Sequence, residues 1–137
     1  MMVKDAGRCF ACGKNNPHGL RLDIRKTPDG VELDFVPPEH LQGWHEVLHG
    51  GITSTLLDEL MAWACTSVGI QTVTAEMSVR FRQPVKTGQP LHGTGRVLEQ
   101  RGRLVLAESR LFDQAGMLLA EATGKMMALE ANEMTND

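Results

Sequence analysis

Hydrophobic and polar positions divide this chain into two kinds of segment. Alternation of apolar and polar residues, typical of strands with one buried face, covers 20–26, 31–36, 72–83, 91–99, 103–112 and 117–129. In contrast, His49 to Val68 carries apolar residues at about every fourth position, and they cover more than half of a helical circumference. A helix with so wide an apolar arc is predicted to be buried.

The order of these elements predicts their packing. Turn residues separate successive strands at 27–30, 100–102 and 113–116, and Gly69 ends the helix. Connections this short favour antiparallel pairing. We therefore expect an α+β fold, with an antiparallel sheet of about six strands wrapped around one long central helix. The 137 residues suit one domain over 1–137, with an irregular segment at 1–18 and a frayed tail at 130–137.

Composition excludes several classes of function. The net charge of -3 lacks the basic excess that nucleic-acid binding requires. Apolar runs are too short to cross a membrane, and the first ten residues contain no apolar signal-peptide core. We expect a cytoplasmic protein that binds neither nucleic acid nor membranes.

Three cysteines are too few, and too unevenly placed, for a disulfide framework. The spacing Cys9-x-x-Cys12-Gly resembles half of a zinc knuckle, but structural zinc requires four ligands and a second cysteine pair is missing. His18, His40 or His45 are the candidates to complete such a site. We expect the two cysteines to pack the N-terminal segment, and the sequence leaves metal binding open.

Candidate chemistry lies at the start of the helix. His49-Gly50-Gly51 places two glycines where backbone N–H groups are unpaired and carry partial positive charge. Asp58 follows on the same buried helix, where a carboxylate is costly without a partner or a function. Together these residues indicate a site that polarises a carbonyl group and attacks it. The alternatives are a tight turn at the glycines and a structural acid at Asp58.

Several motifs together resemble the hot-dog-fold acyl-CoA thioesterases of the PaaI-like (phenylacetic acid degradation) family. They span residues 9–129 and comprise CFACG at 9–13, NPHGL at 16–20, QGW at 42–44, HGG at 49–51, LLDE at 56–59 and RFRQPVKTG at 80–88. The resemblance implies a hot-dog fold and hydrolysis of an acyl-CoA to the free acid and coenzyme A. It further implies a homodimer or homotetramer that uses no metal or organic cofactor.

The resemblance also implies roles for individual residues. The Gly51 amide would hold the thioester carbonyl oxygen, Asp58 would act as general base or nucleophile, and Thr74 would position the attacking water. Some relatives carry an amide side chain six residues before the histidine. This chain has Gly43 there, so that group is missing unless Gln42 replaces it.

The spacing of Gly51 and Asp58 favours a site shared by two subunits. Seven residues of helix span about 10 Å, too far for one carbonyl group to contact both ends easily. An antiparallel helix from a second subunit would bring Asp58 of one chain beside Gly51 of the other, consistent with a two-fold dimer.

Other candidates complete the predicted site. His49 is a possible general base, although capping the helix is the favoured role. The substrate-binding candidates are Gly50, Trp44, His45, Arg80 and Arg82, and the arginines suit coenzyme A phosphates unless they only form a solvated face.

Glu59 is the rival acid of Asp58, and we expect it to be salt-bridged or solvated. Two other functions remain as alternatives: a hot-dog dehydratase or hydratase that pairs an acid with His45 or His49, and a non-catalytic acyl-CoA-binding or sensing module.

Overall fold

A computed structural model describes residues 3–130 together with the backbone of 134–135. Six strands of the described chain form one antiparallel sheet in the order β2-β3-β5-β6-β7-β4. These strands are β2 (Arg25–Thr27), β3 (Gly30–Phe35), β4 (Thr72–Phe81), β5 (Leu91–Arg101), β6 (Leu104–Phe112) and β7 (Leu118–Ala128). The predicted sheet of six antiparallel strands is confirmed.

The ends of the chain meet in a separate two-stranded sheet. Strand β1 (Val3–Lys4) pairs in parallel with β8 (Met134–Thr135). The tail predicted to fray includes residues 131–133 and 136–137, which lie outside the described residues.

Helix α1 (Gly50–Ser67) lies on one face of the sheet. Its limits agree with the predicted 49–68 to within one residue at each end. His49 and Val68 are the capping residues, and Gly69 follows with a φ of 85°, a left-handed conformation that suits glycine after a helix. None of the helices in the described part of the chain is long and apolar enough to cross a membrane.

The core consists of aliphatic side chains between α1 and the sheet. Fully buried residues come from the helix (Leu56, Leu57, Leu60, Met61, Ala64, Cys65) and from β6 and β7 (Val105, Ala107, Leu111, Ala120, Met126). Gly95 of β5 allows the strand to approach the backbone of α1 closely, because a Cβ at this position would overlap the carbonyl oxygen of Leu60. Burial of this area stabilises the fold at roughly 25 cal/mol per Å² of apolar surface.

The first predicted strand differs most from the structure. Of the predicted 20–26 segment, only residues from Arg25 onward pair with the sheet. The preceding residues are held by the N-terminal segment, since Leu20 N–H donates to Phe10 O and Leu22 N–H donates to Ala11 O. The alternation therefore predicted the burial of Leu22 correctly, but Leu22 pairs with a loop rather than with a strand.

The loop that precedes α1 is also ordered. A 3-10 helix spans Glu39–Leu41, and an antiparallel bridge then joins Gln42 to Leu48. Leu48 N–H donates to Val85 O and His49 N–H donates to Leu41 O. These bonds fix the entry of the chain into the helix, where the predicted site lies.

Candidate active site

Asp58 and Thr74 form the contact at the centre of the predicted site. Thr74 Oγ1 donates a hydrogen bond of 2.6 Å to Asp58 Oδ1. Asp58 is half-buried on α1, and Thr74 is exposed on β4. Such a bond orients one carboxylate oxygen and leaves the other available as a base or nucleophile.

A β-bulge in β4 turns Thr74 toward the helix. The register with β7 shifts between Thr74 and Glu76, so that Ala75 has no direct partner. Thr74 thus pairs with Met126, whose side chain is fully buried, and paired residues of an antiparallel ladder point to the same face. Strict alternation along the predicted strand 72–83 would place Thr74 on the polar face with Glu76. The structure corrects this, because the inserted residue reverses the alternation.

The start of α1 uses the two glycine amides differently. Gly51 N–H donates to Nδ1 of His49 at 2.9 Å, which makes His49 the side-chain cap of the helix. Among the described residues, Gly50 N–H has no acceptor. The favoured capping role of His49 is therefore present in the structure, and the amide that Gly51 was predicted to offer is already engaged.

A cleft opens beside this free amide. A cavity of about 400 Å³ is lined by Gly43, Trp44, Leu48, His49 and Gly50. Trp44 is 85% exposed at its edge. The Phe81 ring lies 3.7 Å from the point where a Gly50 Cβ would stand. Phe81 pairs with the buried Ala120 and therefore points to the helix face of the sheet, although its ring is 59% exposed. Its position beside Gly50 was missed from sequence, because the contact joins segments about 30 residues apart.

Two further candidates, Gln42 and His45, contact other residues of the loop that precedes α1. Gln42 Oε1 accepts a hydrogen bond of 3.0 Å from Glu46 N–H, so its carbonyl oxygen stabilises the loop itself. His45 is exposed, with Nε2 3.5 Å from Glu46 Oε1. The structure thus places both side chains within the loop's own bonding.

The two candidate arginines differ in their partners. Arg82 forms an ion pair with Glu121 of β7, with Nε 2.9 Å and a terminal nitrogen 2.8 Å from the same carboxylate oxygen. Arg80 is exposed on β4, opposite Glu121 in the ladder. Because Arg82 already has a carboxylate partner, Arg80 is the better candidate for contact with a phosphate group.

Glu59, which follows Asp58 on α1, contacts the N-terminal segment. It is half-buried and its Oε1 lies 3.8 Å from the Sγ of Cys9. Burial raises the pKa of Glu59 above its ordinary value, and the charge of Asp58 adds to the effect. The expected ion pair of Glu59 is absent among the described residues, and the side chain is only partly solvated, because two cysteines about 50 residues away in sequence lie within 4.8 Å of its carboxylate.

Comparisons with known proteins agree with this geometry. The family model described as Thioesterase superfamily matches residues 45–120, more than half of the chain. The chain belongs to the thioesterase superfamily. Human acyl-coenzyme A thioesterase 13 is 35% identical over 83 residues, which are 59% of this chain and 54% of the human protein. This chain therefore spans about half the length of that relative.

A second relative is similar over more of the chain. The acyl-coenzyme A thioesterase PaaI of Escherichia coli is 29% identical over 117 residues, which cover 84% of this chain and 80% of PaaI. The structure of E. coli PaaI superposes with a TM-score of 0.75 at 23% identity, covering 83% of each chain. The Streptococcus mutans protein smu.793, solved with acetyl-CoA, gives a TM-score of 0.73 at 22% identity over 79% of this chain and 88% of that one. The predicted hot-dog fold and PaaI-like resemblance of this thioesterase superfamily member are confirmed.

Proposed function

We propose that this chain hydrolyses the thioester bond of an acyl-CoA to give a free acid and coenzyme A. The observation that carries the proposal is the Asp58–Thr74 hydrogen bond, which orients a carboxylate on the helix whose N-terminus holds a free amide. The names of the human and E. coli relatives, and the acetyl-CoA bound to the S. mutans protein, support the substrate class.

Asp58 supplies the chemistry in this proposal. As a general base, it takes a proton from water while the water oxygen attacks the carbonyl carbon, and the proton then goes to the departing coenzyme A sulfur. As a nucleophile, its oxygen attacks the carbonyl carbon and the C–S bond breaks, so that coenzyme A leaves as a thiolate and takes a proton from solvent. Water then hydrolyses the resulting anhydride, which releases the free acid and restores the Asp58 carboxylate. In both routes the Thr74 hydroxyl holds the carboxylate, and a water molecule bound near Thr74 lies close to the reacting carbon.

The Gly50 amide is the better oxyanion donor of the two glycines. Its N–H lacks an acceptor among the described residues, and it lines the cleft. Gly51 N–H is held by His49 Nδ1 and would have to leave that bond first. Loss of one such donor in well-studied hydrolases costs about 3 kcal/mol in the transition state. We therefore assign the oxyanion to Gly50, with Gly51 as the capped neighbour.

Two subunits would complete each site. Asp58 follows Gly50 by eight residues, which is about 12 Å along the helix axis. Strand β4 has ten residues and pairs only with β7 within the described sheet, so its other edge is open. A second β4 paired there in an antiparallel arrangement would place the two helices side by side and in opposite directions. The acid of one subunit would then face the amide of the other.

Substrate contacts follow from the cleft. Trp44 and Phe81 offer apolar surface beside Gly50, suited to the acyl group. Arg80, which has no ion pair among the described residues, offers a guanidinium for a phosphate of coenzyme A. The cleavage itself requires no metal or organic cofactor in this scheme. The cytoplasmic location and the choice between dimer and tetramer stay predictions.

A turnover screen tests the proposal. Purified protein is given acyl-CoA substrates of differing chain length and aromaticity, and loss of the thioester absorbance is followed so that the chain's own cysteines do not interfere. Asp58→Asn should abolish turnover while thermal unfolding and oligomeric state stay those of the wild type. Asp23→Asn, at an exposed aspartate just before β2, is the matched control and should stay active.

Three outcomes would overturn the proposal. Full activity of Asp58→Asn would remove the catalytic assignment. Tight binding of acyl-CoA without turnover across the whole panel would favour a sensing module, and hydration of an enoyl-CoA would favour the dehydratase alternative.

A further inference from the structure

A second cluster of reactive side chains lies beside Glu59, the residue that follows Asp58 on α1. The sulfurs of Cys9 and Cys12 and a carboxylate oxygen of Glu59 all lie within 4.8 Å of one another. Cys9 is exposed, whereas Cys12 and Glu59 are half-buried. The thioester chemistry proposed above makes no use of these three groups.

The backbone between the two cysteines brings their sulfurs together. Gly13 N–H donates to Cys9 O at 2.9 Å, which closes a tight turn, and Cys12 N–H donates to the Cys9 sulfur at 3.5 Å. A Cβ at Gly13 would overlap the backbone nitrogen of Cys9, so the turn requires glycine after the second cysteine. These contacts hold the two sulfurs on the same side of the turn, next to Glu59.

The distances suit a tetrahedral metal centre. Ligands of zinc lie about 2.0–2.3 Å from the ion, so that two ligand atoms of a tetrahedral site are roughly 3.3–3.8 Å apart. The Cys9 sulfur and Glu59 Oε1 are already 3.8 Å apart. No pair of the three ligand atoms is more than 4.8 Å apart, so each pair has to approach by about 1.5 Å at most to surround one ion.

The ligand types select the ion. Two thiolates and one carboxylate combine soft and hard donors, a set that zinc accepts and that calcium or magnesium does not favour. From this geometry we infer that Cys9, Cys12 and Glu59 bind one Zn²⁺ ion, which fastens the N-terminal segment to α1. The inference does not rest on the proposed hydrolase activity.

A water molecule would fit the fourth coordination position of the proposed zinc ion. The three ligands line a cavity of about 330 Å³, which Asp5 also lines. Asp5 Oδ1 already accepts a hydrogen bond of 2.9 Å from Gly7 N–H. Thr72 lines the same cavity, and its buried hydroxyl has no hydrogen-bond partner among the described residues. Buried hydroxyls are usually satisfied, so this cavity has both the room and a polar partner for water.

A cobalt titration tests the site in the whole chain. The protein is reduced, stripped with a chelator and titrated with Co²⁺, which reports thiolate ligands through a sulfur-to-cobalt charge-transfer band. We expect one Co²⁺ per chain, displaced by one equivalent of Zn²⁺, and an increase of Tm on addition of Zn²⁺. This measurement needs no variant, so it does not depend on whether a variant folds.

Variants then assign the ligands. Cys9→Ser and Glu59→Gln should weaken Co²⁺ binding at least tenfold and lose the Tm increase. Cys65→Ala removes a thiol that is buried in the core and is the matched control; it should keep the charge-transfer band. Absence of the band in the reduced wild type would overturn the inference. Equal binding by Cys9→Ser would do the same, as would a Cys9–Cys12 disulfide whose reduction yields no metal binding.

Discussion

Replacement of Thr74 by valine tests whether the hydrogen bond to Asp58 serves catalysis. Valine has nearly the shape of threonine and favours strands, so β4 and its bulge should persist. The variant loses only the hydroxyl that donates to Asp58 Oδ1 at 2.6 Å. Asp58 stays in place, but its carboxylate is no longer oriented from the strand.

The size of the effect follows from the kind of bond. A hydrogen bond to a charged group contributes about 1.5–3 kcal/mol. Thr74 is exposed in the single chain, so solvent compensates part of the loss and the lower end applies. A loss of about 1.5–2 kcal/mol in the transition state corresponds to roughly a 10- to 30-fold decrease of kcat.

Steady-state kinetics with an acyl-CoA, together with thermal unfolding, measures the prediction. We expect Thr74→Val to lower kcat with little change of KM or Tm, because the bond positions the reacting group rather than the substrate. Thr74→Ser keeps a hydroxyl and should retain most of the wild-type kcat. The reasoning is refuted if the valine variant is as active as the wild type, or if serine impairs kcat as much as valine.

Three further predictions concern stability. His49→Ala should lower the free energy of unfolding by about 1 kcal/mol in urea, and His49→Asn, which keeps a capping acceptor, should lower it less; equal losses would exclude the cap. Gly95→Ala should destabilise the fold by about 1–3 kcal/mol, since its Cβ meets the helix backbone; an unchanged urea midpoint would contradict this. Hydrogen bonds from His92 and Arg25 lower the pKa of Asp34 in the folded state. Asp34 therefore stabilises the fold at pH values above its unfolded-state pKa, and this stabilisation is lost as the pH falls through its folded-state pKa. Asp34→Asn should therefore reduce Tm at pH 7 but hardly at strongly acid pH. The loss of unfolding free energy at pH 7 should be under about 1 kcal/mol, because Asp34 and His92 are exposed. A Tm difference that stays the same at all pH values would contradict this prediction.

The elements that the sequence predicted well are those whose pattern is local. The helix was located because about eighteen residues keep one apolar period, and the hairpin strands because turn residues separate them. The capping role of His49 could also be predicted from the sequence, since the histidine directly precedes the helix. In each case the determining contacts join residues that are close in sequence.

The features that were missed depend on contacts between distant segments. The bulge at Ala75 exists only in relation to β7, so alternation within β4 could not reveal that Thr74 faces the helix. The residues at 20–24 kept the alternation of a strand but pair with the N-terminal segment. The environment of Glu59 depends on where the loop carrying Cys9 and Cys12 lies.

The hydrogen bonds of His49 determine which amide at the start of α1 is left without an acceptor among the described residues. A helix N-terminus offers several unpaired amides, and a bare pair of glycines gives no means of choosing among them. His49 makes the choice by accepting the Gly51 N–H, while its backbone oxygen accepts from Ile52 and Thr53. The amide left over is that of Gly50, the residue that also lines the cleft. Among the described residues it is the one amide of the first helical turn without an acceptor. A donor that the backbone of a helix already fixes in place is what electrostatic stabilisation of an oxyanion requires.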